Sequence, residues 1–221
     1  MTRLHTRAAK AIAARIEQAT AKLDRPAAMR AIDTARALGL DATTIAALTA
    51  QAQHVPQPGD TSAADGMHLI RVGGRTIAVS TRDVSRGEYA QFASATRRPP
   101  SLCRERASLL RILAPRSWQS PGYPQSAQHA VVCVSSSDAD AYARWLGQRS
   151  GHRYRLPSAS EARALPGGGG AKPVAEWLSE CGADCRQRLS VGQSWRGSSG
   201  SKPLDATRGY DDVGFRLVRD R

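Results

Sequence analysis

The stretch AYARWLGQRSGHRYRLPSASEARAL, residues 141–165, decides the fold of this chain. Its first part continues a pattern in which apolar residues return every three or four positions, and this spacing predicts a helix. Pro157 forces Leu156 into an extended conformation, so a short strand ends at this point. Ser158 can cap a new helix, and Glu161 stands three residues later to complete a capping box. The inner face of the first helix consists of Ala139, Tyr142, Ala143 and Leu146. The stretch therefore predicts a helix, a short strand and a second helix in close succession.

After this stretch the sequence predicts mostly loops, with very short strands at residues 188–192 and 214–218. In the second of these strands, side chains alternate between the two faces. We expect Phe215 and Leu217 to face the core and Arg216 and Val218 to face outward. A domain with this much loop needs fasteners beyond the hydrogen bonds of regular helices and sheets.

The N-terminal part has a different character. Residues 1–53 are rich in alanine and predict about three short helices, the second capped by Asp24 and the third by Asp41. The segment HVPQPGDTSAADG, residues 54–66, has the composition of a linker. We therefore expect an all-helical segment, a linker, and a second domain over residues 67–221.

Three further local patterns lie between the linker and the quoted stretch. Gly73 and Gly74 separate two short apolar runs and predict a β-hairpin. Ser85 can cap a helix that follows it directly. The run AVVCVS, residues 130–135, predicts a short buried strand.

Composition limits the partners of the chain. Its 221 residues carry a formal net charge of +13. The basic residues are scattered and are not interleaved with aromatic residues, which argues against a nucleic-acid partner. No apolar run approaches the length that spans a bilayer, so a membrane connection requires a segment outside this chain.

Several landmarks follow one another in a fixed order along the second domain. They are EYAQFASATRR (88–98), residues 130–165, VAEW (174–177), VGQSWR (191–196) and VGFRLVRD (213–220). The series resembles the formylglycine-generating, or sulfatase-modifying factor, family. The resemblance covers about residues 67–221 and implies a loop-rich α+β domain with a C-type-lectin-like fold.

The resemblance fails at the residues that carry the family's chemistry. Catalytic members hold copper with two cysteines in the segment that here reads VGQSWRGSSGSKPLDATRGYDD, residues 191–212, and this segment contains no cysteine. A serine hydroxyl cannot replace a thiolate for copper(I), because it neither ionises near neutral pH nor matches the softness of the ion. We therefore expect no catalytic residues and no cofactor.

Other metal sites of related proteins are not supported either. The iron-dependent sulfoxide synthases gather three histidines, whereas the five histidines of this chain lack helical ligand spacing. These residues are His5, His54, His68, His129 and His152. Pro173 replaces the asparagine that often helps to bind calcium, which leaves Glu176 and Asp184 as the remaining oxygen ligands. Solvated loop charges are the preferred interpretation of both carboxylates.

The four cysteines admit several interpretations. A zinc site would need a second close pair, and a redox pair is more often separated by two residues. Disulfides between Cys181 and Cys185 and between Cys103 and Cys133 are the simplest hypothesis for a loop-rich domain, although two other pairings stay open. Disulfides would place the domain in the periplasm or outside the cell.

The preferred functional hypothesis is a non-catalytic binding or sensing domain. Domains of this family also occur fused to membrane signalling proteins such as serine/threonine kinases, so we expect a larger parent protein and a protein, peptide or cell-envelope ligand. The alternative is a metal-dependent oxidase or oxygenase of the formylglycine-generating or sulfoxide-synthase type. The expected ligand-binding residues are Trp195, Arg196, Arg208, Tyr210 and Asp211.

Overall fold

The chain divides into two compact units, residues 1–78 and 79–221. The computed structural model describes residues 2–22, 24–57, 60, 67–104, 116–165, 172–182, 184–197 and 201–220. Most of the predicted 54–66 linker lies outside the described residues. The part of the chain that the structure describes has no helix long and apolar enough to cross a membrane.

The described residues of the first unit form three helices, as the sequence predicted. They are α1 (Thr2–Ala21), α2 (Arg25–Ala37) and α3 (Ala42–Gln53). The carboxylate of Asp24 accepts a hydrogen bond from the backbone of α2, and that of Asp41 accepts one from the backbone of α3. Apolar residues of all three helices, including Ile12, Ile32 and Leu48, form one buried cluster. The predicted hairpin follows as β1 (His68–Val72) and β2 (Arg75–Val79).

Among its described residues the second unit has three helices, and each begins with the same hydrogen-bonding pattern. They are α4 (Arg86–Thr96), α5 (Ser136–Ser150) and α6 (Ala159–Ala164). At each start a serine hydroxyl accepts from the backbone three residues on, and the carboxylate there accepts from the serine backbone in return. These capping boxes pair Ser85 with Glu88, Ser135 with Asp138, and Ser158 with Glu161.

Strands of the second unit form small sheets around these helices. The strands are β3 (Cys103–Arg104), β4 (Arg153–Arg155), β5 (Ala175–Cys181), β6 (Gln187–Val191), β7 (Lys202–Asp205), β8 (Gly209–Tyr210), β9 (Val213–Gly214) and β10 (Val218–Asp220). A four-stranded sheet has the order β7-β6-β5-β9. Within it β6 is antiparallel to both β5 and β7, whereas β9 is parallel to β5. In addition, β4 pairs antiparallel with β10, and β3 pairs parallel with β8.

Three secondary-structure predictions for this unit are wrong, and two of them concern β5 and residues 130–135. The sequence analysis treated the region of β5 as loop, but it is an inner strand of the sheet. Its first residues are buried on both faces, so the alternation that reveals a half-buried strand is absent. Residues 130–135 are buried as expected but form no strand, because Cys133 has φ +60° and turns the backbone. Its N–H donates to the Tyr210 carbonyl instead, over 2.9 Å.

The core of the second unit is aromatic. Tyr89 lies 5.3 Å from both Phe92 and Trp118 between ring centroids, and Tyr142 lies 5.4 Å from Phe215. Perpendicular contacts of this kind align the positive ring edge with the negative ring face. The tryptophan of β5, Trp177, is fully buried and donates its indole N–H to the Val134 carbonyl over 3.0 Å.

Arg216 does not point outward as predicted. It is buried, and its guanidinium donates two hydrogen bonds to the buried carboxylate of Glu176. A long cationic side chain can be buried where a carboxylate matches its planar fork. Val218, also expected to face outward, is buried as well. The prediction of a strand at 214–218 is wrong, because residues 215–217 lie between β9 and β10 and belong to neither, so strand alternation does not apply to Arg216.

Candidate functional site

Both predicted disulfides are present. Cys103 is joined to Cys133, and Cys181 is joined to Cys185. The first bridge connects β3 to the buried segment 130–135, and the second closes the turn between β5 and β6. Since the chain has four cysteines, no thiol is left to act as a nucleophile or a metal ligand.

In the segment 191–212, where the resemblance places catalytic cysteines, residues 191–197 and 201–212 are described, and they contain two buried carboxylates. Arg196 donates to Asp211 through Nε over 3.1 Å and through a terminal nitrogen over 2.7 Å. Ser194 donates its hydroxyl to Asp212 over 2.8 Å. Both carboxylates have no exposed surface. Oxygen atoms already engaged by a guanidinium and a hydroxyl do not fit copper(I), which requires soft sulfur ligands.

A pair of aromatic rings lies above Asp211. The Tyr123 hydroxyl donates to the Asp211 carbonyl over 3.0 Å, and the Trp195 indole N–H points to the same oxygen at 3.4 Å. The two rings meet nearly at right angles, with centroids 5.7 Å apart. Because both rings hydrogen-bond to the same carbonyl oxygen, they are held in this perpendicular arrangement.

Cationic side chains lie over the faces of these two rings. The Lys172 ammonium lies 3.3 Å from the Tyr123 centroid and 4.0 Å from the Trp195 centroid. The guanidinium carbon of Arg196 lies 4.2 Å from the Trp195 centroid. Cations above ring faces are attracted by the negative charge of the π system. We call the set Arg116, Tyr123, Lys172, Trp195 and Arg196 the Trp195 patch.

Local backbone contacts explain how distant segments meet in the Trp195 patch. The backbone N–H of Trp195 donates to the Pro173 carbonyl over 2.8 Å, and this contact brings Lys172, the residue before Pro173, beside the indole. Arg116 reaches within 3.7 Å of the Asp211 carboxylate. Its guanidinium fills the space that a side chain would take at Gly122, where φ is +94°. Glycine is therefore required at that position.

Burial and charge shift the pKa values of two groups in the patch. Burial, followed by the negative charge of Asp211, raises the pKa of Tyr123 to about 12, so its hydroxyl keeps the proton that it donates. Burial also lowers the pKa of Lys172, and the positive charge of Arg196 acts in the same direction. The charge of Asp211 partly offsets this lowering.

The structure brings together only some of the five residues that the sequence assigned to ligand binding. Trp195, Arg196 and Asp211 adjoin, but the buried Asp211 holds Arg196 in place and cannot itself touch a ligand. Arg208 lies elsewhere and donates to Asp205 over 2.8 Å. Tyr210 is buried, accepts from the Asp205 N–H over 3.1 Å and packs against Trp177.

Sequence analysis missed Arg116, Tyr123 and Lys172. They come from segments far from residues 191–212 in the chain, and nothing in their own spacing marks them. The dipeptide Lys172–Pro173, in the position of a metal-binding asparagine, was noted only as a loss. The carbonyl of Pro173 accepts the hydrogen bond from the backbone N–H of Trp195.

The carboxylates considered for calcium each face an arginine. Glu176 is paired with Arg216, and Asp184 lies 3.2 Å from Arg186 on the surface. A carboxylate that already has a guanidinium partner is a poor ligand for a cation, so Glu176 and Asp184 do not fit a calcium site. Among the residues that the structure describes, no three His, Cys, Asp or Glu side chains converge as a metal site.

Comparison with known proteins points to one family. The model of the sulfatase-modifying factor enzyme 1-like domain matches residues 50–204, more than half of the chain. The structure of PvdO from Pseudomonas aeruginosa aligns with a TM-score of 0.53 and 21% identity, over 75% of this chain and 89% of PvdO. The structure of CarF aligns with a TM-score of 0.48 and 16% identity, over 66% and 87%. No curated protein sequence matches the chain. The likeness to PvdO bears on the fold alone.

Proposed function

The chain belongs to the family of sulfatase-modifying factor enzyme 1-like domains. We propose that this member binds a ligand without transforming it. The ligand is a protein, a peptide or a component of the cell envelope. Recognition takes place at the Trp195 patch, on the face where catalytic relatives carry their cysteines.

The state of the cysteines carries this proposal. The copper chemistry implied by the family needs thiolates on segment 191–212, and this chain has none there. All four of its cysteines form disulfides elsewhere. The described positions near the expected site instead form ion pairs and hydrogen bonds, which orient the side chains of Trp195 and Arg196. A rigid, preorganised surface loses less conformational entropy on binding.

The Trp195 patch has the composition of a recognition surface. Tryptophan, tyrosine and arginine are enriched at the energetic centres of interfaces. Here Tyr123, Trp195 and Arg196 are only partly buried, so they remain accessible while their orientation is fixed. A partner that covers this surface would desolvate aromatic area without having to order it first.

The two disulfides support an oxidising compartment, the periplasm or the cell exterior. We also propose that the domain is fused to a membrane signalling protein such as a serine/threonine kinase, because domains of this family occur in such fusions. A signalling role would require the ligand to bind outside the membrane while the response occurs inside it.

Binding arrays of peptides and bacterial glycans would test the proposal. We expect the chain to bind a restricted set of array members and the Trp195→Ala variant to lose that binding. Trp145→Ala is the matched control, since Trp145 is also partly buried and lies beneath a cation, Arg149, at 4.7 Å. Equal loss in both variants, or binding that neither variant changes, would contradict recognition through the Trp195 patch.

A further inference from the structure

The charges around the Trp195 patch are sorted by depth. Asp211 and Asp212 are fully buried, whereas the side chains of Arg196 and Arg116 retain 23% and 27% of their exposure. Lys172 is exposed. An approaching molecule therefore meets positive charge first, with the compensating carboxylates inaccessible beneath it.

The exposed ammonium lies against two rings, and the nearest carboxylate, Asp211, is paired with Arg196 and acts on Lys172 only through its charge. Within the described part of the chain, the neighbours recorded for the Lys172 ammonium are the faces of Tyr123 and Trp195. Attraction by a ring leaves the three N–H donors of a lysine available for oxygen acceptors. The rings therefore hold a cation in place while its hydrogen-bonding capacity is kept.

We propose that the Trp195 patch binds an anionic oxygen group of the ligand, a phosphate, a sulfate or a carboxylate, through the ammonium of Lys172 with Arg196 beside it. This inference rests on the proposed function and names the chemistry of the ligand. Hydrogen bonds between ionised partners are the strong ones, and a lysine acts on such groups as a point charge.

An external cation is the competing occupant, because two perpendicular rings are a favourable environment for an ammonium. That position already holds Lys172. A second cation would have to displace Lys172 and would then lie close to Arg196, Arg116 and the displaced lysine itself. The observed charges therefore favour an anion.

The lowered pKa of Lys172 is consistent with this assignment. Partial desolvation disfavours the charged ammonium and outweighs the opposing charge of Asp211, and the positive charge of Arg196 adds to the lowering. An anion bound beside it would offset the repulsion and raise the pKa of Lys172 again. Binding is then expected to weaken as the pH rises towards the pKa of the free lysine.

The experiment follows the Trp195 indole N–H resonance of the full chain by NMR, assigned with Trp195→Phe. The titrants are sodium phosphate, sodium sulfate, sodium acetate and tetramethylammonium chloride at constant ionic strength. We expect a saturable shift with an oxyanion and, for Lys172→Met, an affinity about tenfold lower, as suits the loss of a charge-assisted hydrogen bond. Lys202→Met is the matched control, because Lys202 is also exposed and precedes a proline.

The titrants separate the sources of the anion. A response to phosphate or sulfate without acetate identifies a phosphorylated or sulfated ligand, and an equal response to acetate identifies a carboxylate. The proposal is overturned if no oxyanion saturates, if Lys172→Met binds as tightly as the wild type, or if only tetramethylammonium saturates. In those cases array binding that depends on Trp195 would still uphold the proposed function.

Discussion

At the scale of single residues, the buried carboxylates of the second unit differ in how their charge is met. Asp211 receives two hydrogen bonds from Arg196, and Glu176 receives two from Arg216. One oxygen of Asp83, by contrast, is buried without a hydrogen-bond partner among the described residues. A buried charge without full compensation is costly, so this carboxylate favours its protonated form.

The stability of the second unit should therefore depend on Asp83. Burial, followed by the negative charge of Glu176, raises the pKa of Asp83 from 3.8 to about 7. A carboxyl group whose pKa is higher in the folded state binds its proton more tightly there, so folding is favoured at low pH and loses stability as the pH rises towards 7. Between about pH 5 and pH 8 the free energy of unfolding of the wild type should fall by roughly 1–3 kcal/mol because of Asp83, and we expect Asp83→Asn to lack this decrease. Urea unfolding at both pH values measures it, and an equal pH dependence in the variant would refute it.

The pair between Asp211 and Arg196 should contribute strongly to stability, because its carboxylate is fully buried. We expect Asp211→Asn to lower the free energy of unfolding by about 1–3 kcal/mol, since it leaves a partly buried guanidinium without its counter-charge. Asp184→Asn is the control, because the Asp184 side chain is 58% exposed and pairs with an exposed arginine. It should change stability by less than about 0.5 kcal/mol. Equal effects in urea unfolding would contradict the buried pair.

Residue types alone could not assign these roles. Arginines and aspartates in segment 191–212 suggested a binding surface, and three of the five chosen residues do adjoin. Whether an aspartate faces solvent or lies beneath an arginine depends on loops distant in sequence. For the same reason Tyr123 and Lys172 gave no signal of their own.

At the scale of elements, local chemistry was a good guide wherever it determines structure. Helix starts are fixed by hydrogen bonds within four residues, so the caps at Asp24, Asp41, Ser85 and Ser158 could be predicted. Strands depend on partners elsewhere in the chain. This dependence explains why β5, covered on both faces, was missed and why residues 130–135 were wrongly expected to form a strand.

The cap of α5 provides a test at this scale. The Ser135 hydroxyl accepts from the Asp138 N–H over 3.0 Å in a buried setting. We expect Ser135→Ala to destabilise the second unit by about 1–2 kcal/mol, because that N–H loses its acceptor. Ser94→Ala, at an exposed position inside α4, should change stability by less than about 0.5 kcal/mol. Thermal unfolding compares the two variants, and a neutral Ser135→Ala would contradict the role of the cap.

At the scale of the whole molecule, the disulfides tie segments outside the helices and sheets to the strands next to them. Cys103 and Cys133 are 30 residues apart, whereas Cys181 and Cys185 are separated by 4. The sequence favoured these pairings without excluding the two others, because connectivity depends on the fold. The family resemblance supplied the fold class, which local patterns alone could not have given.

Loop length predicts that the two bridges contribute unequally. By chain entropy, the Cys103–Cys133 bridge should stabilise the folded state by about 3–4 kcal/mol and the Cys181–Cys185 bridge by about 2 kcal/mol. The paired substitutions Cys103→Ala/Cys133→Ala and Cys181→Ala/Cys185→Ala, compared by urea unfolding, measure the difference. A larger loss from the short bridge would show that chain entropy does not dominate.

The central claim is that this member of the family recognises a ligand and carries no thiol–copper chemistry. The most direct test measures oxygen uptake by the purified chain with copper(I) and a cysteine-containing peptide, together with a thiol titration of the unfolded, unreduced protein. We predict no free thiol and no oxygen uptake beyond that of copper with heat-denatured protein. Two reactive thiols per chain, or copper-dependent uptake over many turnovers that denaturation abolishes, would contradict the claim.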